Sequence, residues 1–179
     1  CNGHVDVCEE HGWTPLIQAV ALPHDSGVPI ARVLLDKGAD PAIFDKNGFS
    51  TMHWAAACGN VGCIATLHAA GADINVRARR PALRRPGAPL CRSIGETPLH
   101  RAARLGAVSC IRKLCELGAD VFRPSAFHAT ALDVAGEYNG RVVPANRASV
   151  RKALTERAPS LTTLVLHHDD CLQHLTPHE

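Results

Sequence analysis

Apolar and polar positions along the chain follow a pattern suited to pairs of short helices, and the pattern recurs. Residues 48–73, GFSTMHWAAACGNVGCIATLHAAGAD, read as a turn, a short alanine-rich helix, a glycine–asparagine break, a second short helix and a closing turn. Neither helix could bury its apolar face alone, so stacked copies must supply the cover. Residues 95–120, GETPLHRAARLGAVSCIRKLCELGAD, repeat the pattern, and residues 12–40 repeat it around an expanded middle. In the first unit Leu16, Ile17, Ala19 and Val20 are expected to form a buried stripe, with Thr14 as N-cap and Pro15 in the first turn. Ile30, Val33, Leu34 and Leu35 have i, i+3, i+4 spacing and are expected to face the core. Gly38 is expected to close that helix as a C-cap free to take positive φ. In the third unit Leu99, Ala102, Ala103, Ile111 and Leu114 are expected in the core, with Arg101, Arg104, Arg112 and Lys113 facing solvent.

The spacing is uneven. Gly12, Gly48 and Gly95 stand 36 and 47 positions apart, and a fourth start near His128 follows 33 positions later. The first excess falls in residues 22–29, a lengthened inter-helix loop. The second falls in residues 76–94, VRARRPALRRPGAPLCRSI, which carries Arg77, Arg79, Arg80, Arg84, Arg85 and Arg92 among prolines. This basic insertion reads as a solvated loop, or as a docking site for an acidic partner or an autoinhibitory contact. No aromatic residue is interleaved for base stacking, so nucleic acid is not the expected partner. The fourth unit has a degenerate first helix at 128–135, a break at 138–140, and a second helix with Ala148, Val150 and Leu154. Arg147, Arg151, Lys152, Glu156 and Arg157 would give that last helix a polar outer face. Residues 1–11 read as the end of a preceding unit.

Thr14-Pro15-Leu16, Thr97-Pro98-Leu99-His100, Ala102-Ala103 and the Gly-Ala-Asp endings at 38–40, 71–73 and 118–120 resemble ankyrin repeats. The resemblance covers roughly residues 2–157. It implies an all-α solenoid of about four helix-turn-helix repeats and a protein-binding role. It also implies that His53 and His100 bond backbone between neighbouring turns. A concave groove of fingers and first helices would expose Trp13, Lys46, Phe49, Trp54, Glu96, Arg101, Arg104 and Leu105 to a protein partner. Aromatic and arginine side chains are the expected hot spots. Partial packing between fingers is the bland alternative for Trp13, Phe49 and Trp54, and a cage for a methylated lysine is the sharper one.

Residues 158–179 leave this pattern. A β-branched run at 161–166 reads as a strand, followed by a polar loop. Leu164-Val165-Leu166-His167-His168, Cys171-Leu172, His174-Leu175-Thr176-Pro177 and Glu179 are similar to the opening of a class II type histone deacetylase domain. This implies an ankyrin region N-terminal to a zinc-dependent lysine deacetylase whose zinc ligands lie downstream. The segment would then be a linker and an orphaned first strand, available for self-association. His167, His168, Asp169, Asp170, Cys171 and His174 suggest a zinc cluster by composition, but neighbours on a strand point to opposite faces and converge poorly.

Composition narrows the reading further. Of 179 residues 46% are hydrophobic and only 4% aromatic, which suits thin helices packed through small side chains. The formal net charge of +2 selects no class of partner. Eight cysteines could form disulfides, yet Cys58, Cys63, Cys110 and Cys115 fall at helical positions where small apolar residues belong. Buried free thiols point to a reducing, intracellular compartment, cytoplasmic or nuclear. No run approaches the roughly 20 apolar residues of a membrane span. No nucleophile–base arrangement or phosphate-cradling loop stands outside the repeat positions. The chain is therefore expected to have no activity and no cofactor of its own. Beginning at Cys1 without a methionine, it is expected to be a piece of a longer protein.

Overall fold

A computed structural model of the chain describes residues 5–80, 93–135, 137–138, 141–142 and 144–157. Three helix pairs follow one another: α1 (Pro15–Ala21) with α2 (Val28–Asp36), α3 (Thr51–Ala57) with α4 (Val61–Ala69), and α5 (Pro98–Leu105) with α6 (Val108–Glu116). A two-residue hairpin, β1 (Glu137–Tyr138) and β2 (Arg141–Val142), precedes the final helix α7 (Pro144–Arg157). α1, α3 and α5 stack as one layer, and α2, α4, α6 and α7 as the other. The solenoid is all-α apart from that hairpin among the described residues.

These helices run seven to nine residues in the first three repeats, too short to persist alone in water. Stacking holds them. Leu16, Met52, Ala55, Ala56 and Leu99, Ala102, Ala103 fill the seam between first helices, while Cys63, Ile64, Leu67 and Cys110, Ile111, Leu114 fill the seam between second helices. The thiols of Cys63 and Cys110 are free and fully buried. Burial, with the nearby Asp25 charge, pushes them up to about 11 and about 12. Both pack as small apolar groups. Cys8 and Cys58 are exposed and Cys115 half-buried, and none of the three is in a disulfide. The expectation of burial therefore fails at Cys58, which lies just past the last turn of α3.

The lengthened loop of the first repeat is bound to the second. Asp25 accepts the amide N–H groups of Gly62 at 2.9 Å and Cys63 at 3.3 Å, capping α4 from 37 residues away. Asn60 returns the contact: its Oδ1 accepts the Asp25 N–H, and its Nδ2 donates to the carbonyls of Val20 and Leu22. His24 and Asp25 take φ of 56° to make the turn. Asp25→Ala is expected to lower stability by about 1 kcal/mol, the usual loss for a missing helix cap. Asp25→Asn should retain most of it, because an acceptor remains and asparagine tolerates left-handed backbone. Thermal melts of the two variants check this; equal losses would assign the effect to charge instead.

Two expectations about packing are corrected. Ile30 and Val33 are exposed, and Leu34 and Leu35 only half-buried, because among the described elements α2 packs chiefly on α1 and α4. With Leu22 exposed beside them, Ile30 and Leu34 line a shallow groove of about 300 Å³. The fourth repeat also lacks a first helix. Residues 131–135 form successive turns, although Ala131, Val134 and Ala135 are buried as a helix would bury them. Asp133 accepts the Thr130 N–H and hydroxyl at 2.8 and 2.7 Å.

Candidate functional site

Each repeat sends out a finger closed by the same backbone bond. The N–H of Glu9 donates to Trp13 O, that of Asp45 to Phe49 O, that of Ala78 to Glu96 O and that of Ser125 to Ala129 O, all between 2.8 and 3.0 Å. The bond spans four positions in three fingers and 18 in the third. The insertion therefore begins and ends on a normal finger base, with residues 81–92 outside the described set. Neighbouring fingers are tied by Lys46 N–H to His11 O, Arg79 N–H to Gly48 O, and Ala126 N–H to Ile94 O. Gly48 sits at φ 83°, and a Cβ there would stand 2.2 Å from the Arg79 carbonyl oxygen. Only glycine admits this approach.

Histidines lock the fingers to the helices. His53 Nδ1 accepts the Ser50 N–H at 3.2 Å and lies 2.8 Å from its hydroxyl, while Nε2–H donates to Glu96 O at 3.0 Å. His100 repeats this with Thr97 and, at 2.9 Å, with Ala129 O. A carbonyl can only accept, so Nε2 carries the proton and the ring is neutral. Burial drives His53 down to about 4 and lowers His100 as well.

On the inner side of the fingers, Trp13 and Trp54 pack edge to face with centroids 4.7 Å apart. Asp45 positions Trp54 by accepting its indole N–H at 3.2 Å, and braces the finger by accepting the Phe49 N–H at 2.8 Å. Phe49 lies 6.3 Å from Trp54, and the Arg101 guanidinium stacks 4.5 Å above the Phe49 ring. Arg79 stacks 3.8 Å above Phe44. Asp45 and Phe44 escaped the sequence reading; the Asp-Lys-Asn-Gly turn at 45–48 was the available signal for Asp45.

Trp13, Trp54, Arg101, Arg104 and Leu105 are half-buried and Lys46 is exposed. Phe49 and Glu96, expected in the groove, are buried at 8% and 0% exposure. Both immediately precede an N-cap, where the finger turns its side chain under toward the inner helices. Phe49 is covered by Trp54, His53 and Arg101, and Glu96 by its ion pair with Arg104. Trp13 has the same register but stands in the first finger and keeps part of its surface. No cage for a methylated lysine exists here, because the two indoles touch and Phe49 is buried. Of the insertion arginines, Arg77, Arg79 and Arg80 are exposed, and Arg84, Arg85 and Arg92 lie outside the described residues. The tail, with its metal-like cluster and its deacetylase-like residues, also lies outside them. Among the described residues no group of three or more His, Cys, Asp or Glu could hold a metal, and no helix is long and apolar enough to cross a membrane.

Family comparison agrees with this geometry. The family model for ankyrin repeats in three copies matches residues 1–78, and that for a single ankyrin repeat matches residues 94–126. The chain carries ankyrin repeats. The interval between the two matches falls on the insertion. A relative, the ankyrin repeat protein nuc-2 of Neurospora crassa, is 39% identical over 57 residues, which is 32% of this chain and 5% of that protein. The chain thus matches only a small part of that relative's length. An interaction module for other proteins is the role that ankyrin repeats support.

Proposed function

We propose that the inner face around Trp13 and Trp54 is where this ankyrin array holds its protein partner. The observation that carries the reading is the pairing of the chain's two tryptophans, both half-exposed, in a chain with few aromatics. Trp54 is held by Asp45, whereas the Trp13 indole N–H makes no hydrogen bond within the described residues and is available to a ligand. Aromatic groups held rigidly beside charged neighbours are typical anchors of binding energy. Lys46 of the second finger and Arg101, Arg104 and Leu105 of α5 would complete the contact. Phe49 and Glu96 act beneath it as supports.

Trp13→Ala is expected to weaken capture of the partner by at least about tenfold, the scale of a hot-spot residue. Lys46→Ala should weaken it less. Quantitative pull-down against the unmodified chain, with melting curves to confirm folding, checks this. Unchanged recovery for both variants would move the site off this face. A finer reading makes the array the regulatory or targeting region of a lysine deacetylase. It rests on the residues of the tail alone, and sequencing the gene beyond Glu179 tests it.

A further inference from the structure

Cations gather at the second finger without an ion pair to a carboxylate among the described residues. Lys46 belongs to it, Arg79 stacks on its Phe44, and Arg101 stacks on its Phe49. Arg80 follows Arg79 and is exposed. No carboxylate pairs with these four among the described residues. Two carboxylates of this region have other partners: Asp45 the Phe49 amide, the Trp54 indole and Asn47, and Glu96 Arg104. Asp40, Asp73 and Asp120 each cap their own turns through the amides of Ala42, Asn75 and Phe122. Exposed Glu9 and Glu10 belong to the first finger.

We propose that the segment this face binds is an acidic peptide, with aspartate or glutamate side chains against Lys46, Arg79, Arg80 and Arg101 and one apolar residue against the Trp13–Trp54 pair. The inference rests on the reading of that face as the partner site. A guanidinium held over an aromatic ring still has N–H groups to offer a carboxylate. Arg79 and Arg101 are each held over a ring, 3.8 and 4.5 Å from its centroid, so less side-chain freedom is lost when a carboxylate arrives. A field of one sign also speeds encounter and rejects basic partners.

The chain's two tryptophans both lie at the site, so their emission reports binding without a label. The probe is a tryptophan-free synthetic peptide of glutamates around a central leucine, beside an isosteric peptide of glutamines. The glutamate peptide is expected to shift the emission saturably, to bind at least about tenfold tighter than the glutamine peptide, and to weaken with added salt. Lys46→Gln with Arg101→Gln should remove most of that difference while the melting temperature stays close to that of the unmodified chain. Equal affinity for the two peptides would overturn the acidic reading and leave the tryptophan site standing. Failure of both peptides, with Trp13→Ala still losing the partner, would do the same. Failure of both peptides together with unchanged partner capture would overturn the site as well. Tighter binding of polyuridylate or of anionic vesicles than of the glutamate peptide would also overturn the proposal.

Discussion

Acidification from pH 7 to pH 4 is expected to remove on the order of 3 kcal/mol of folding stability through His53 alone. The ring is almost fully buried, and its two nitrogens are committed as acceptor and donor. Desolvation lowers its pKa from 6.5 to about 4; the bond to the Glu96 carbonyl opposes this, and the charges of Arg101 and His100 add to it. In the unfolded chain the ring titrates near 6.5. Between pH 6.5 and about 4 the unfolded state therefore holds a proton that the folded state refuses. Stability rises with pH across that window, is lost as pH falls through it, and is flat in this contribution on either side. His100 is shifted in the same direction, chiefly by burial, and adds to the loss. Urea unfolding at pH 7, 5.5 and 4.5 reads the effect, and His53→Gln isolates it. If the variant showed the same pH dependence as the unmodified chain, His53 would not be its source.

Arg104→Ala is expected to destabilise the fold by about 3 kcal/mol, because it strands a buried carboxylate. Glu96 has no exposed surface, and its Oε2 has no hydrogen-bond partner. The ion pair with Arg104 supports the remaining oxygen. Charges taken out of water are held at a loss unless geometry and hydrogen bonds are complete. Replacing both together, Glu96→Leu with Arg104→Met, should therefore come close to neutral or raise stability. Urea unfolding of the single and double variants measures this difference. A single variant within about 1 kcal/mol of the unmodified chain would show that Glu96 finds water or another partner when Arg104 is removed.

Much of the architecture follows from signals a few residues apart. Thr14 caps α1 as predicted by accepting the Ile17 N–H, and Ser50 and Thr97 stand at the N-caps of α3 and α5 in capping boxes with His53 and His100. His53 and His100 reach the next finger as the ankyrin resemblance implied. Exposure is less legible. Phe49 and Glu96 share a register with Trp13, yet only Trp13 keeps open surface: Phe49 is covered by Trp54 and His53 of its own repeat and Arg101 of the next, and Glu96 by Arg104. The link between Asp25 and Asn60 joins residues 35 apart, and neither local propensity nor period encodes it. The fourth repeat buries Ala131, Val134 and Ala135 as a helix would, yet closes on Asp133 and never completes one.

Repetition along the chain is enough to specify an array of paired helices, since caps, small core residues and turn glycines each act over one or two turns. Which polar side chains are buried, and which aromatic ones stay open, depends on neighbours in other repeats. Contacts such as Arg101 on Phe49, Arg79 on Phe44 and Trp13 on Trp54 exist only after the fingers are tied in register. Three backbone bonds between fingers, the first from Lys46 to His11, bring those side chains within reach of one another.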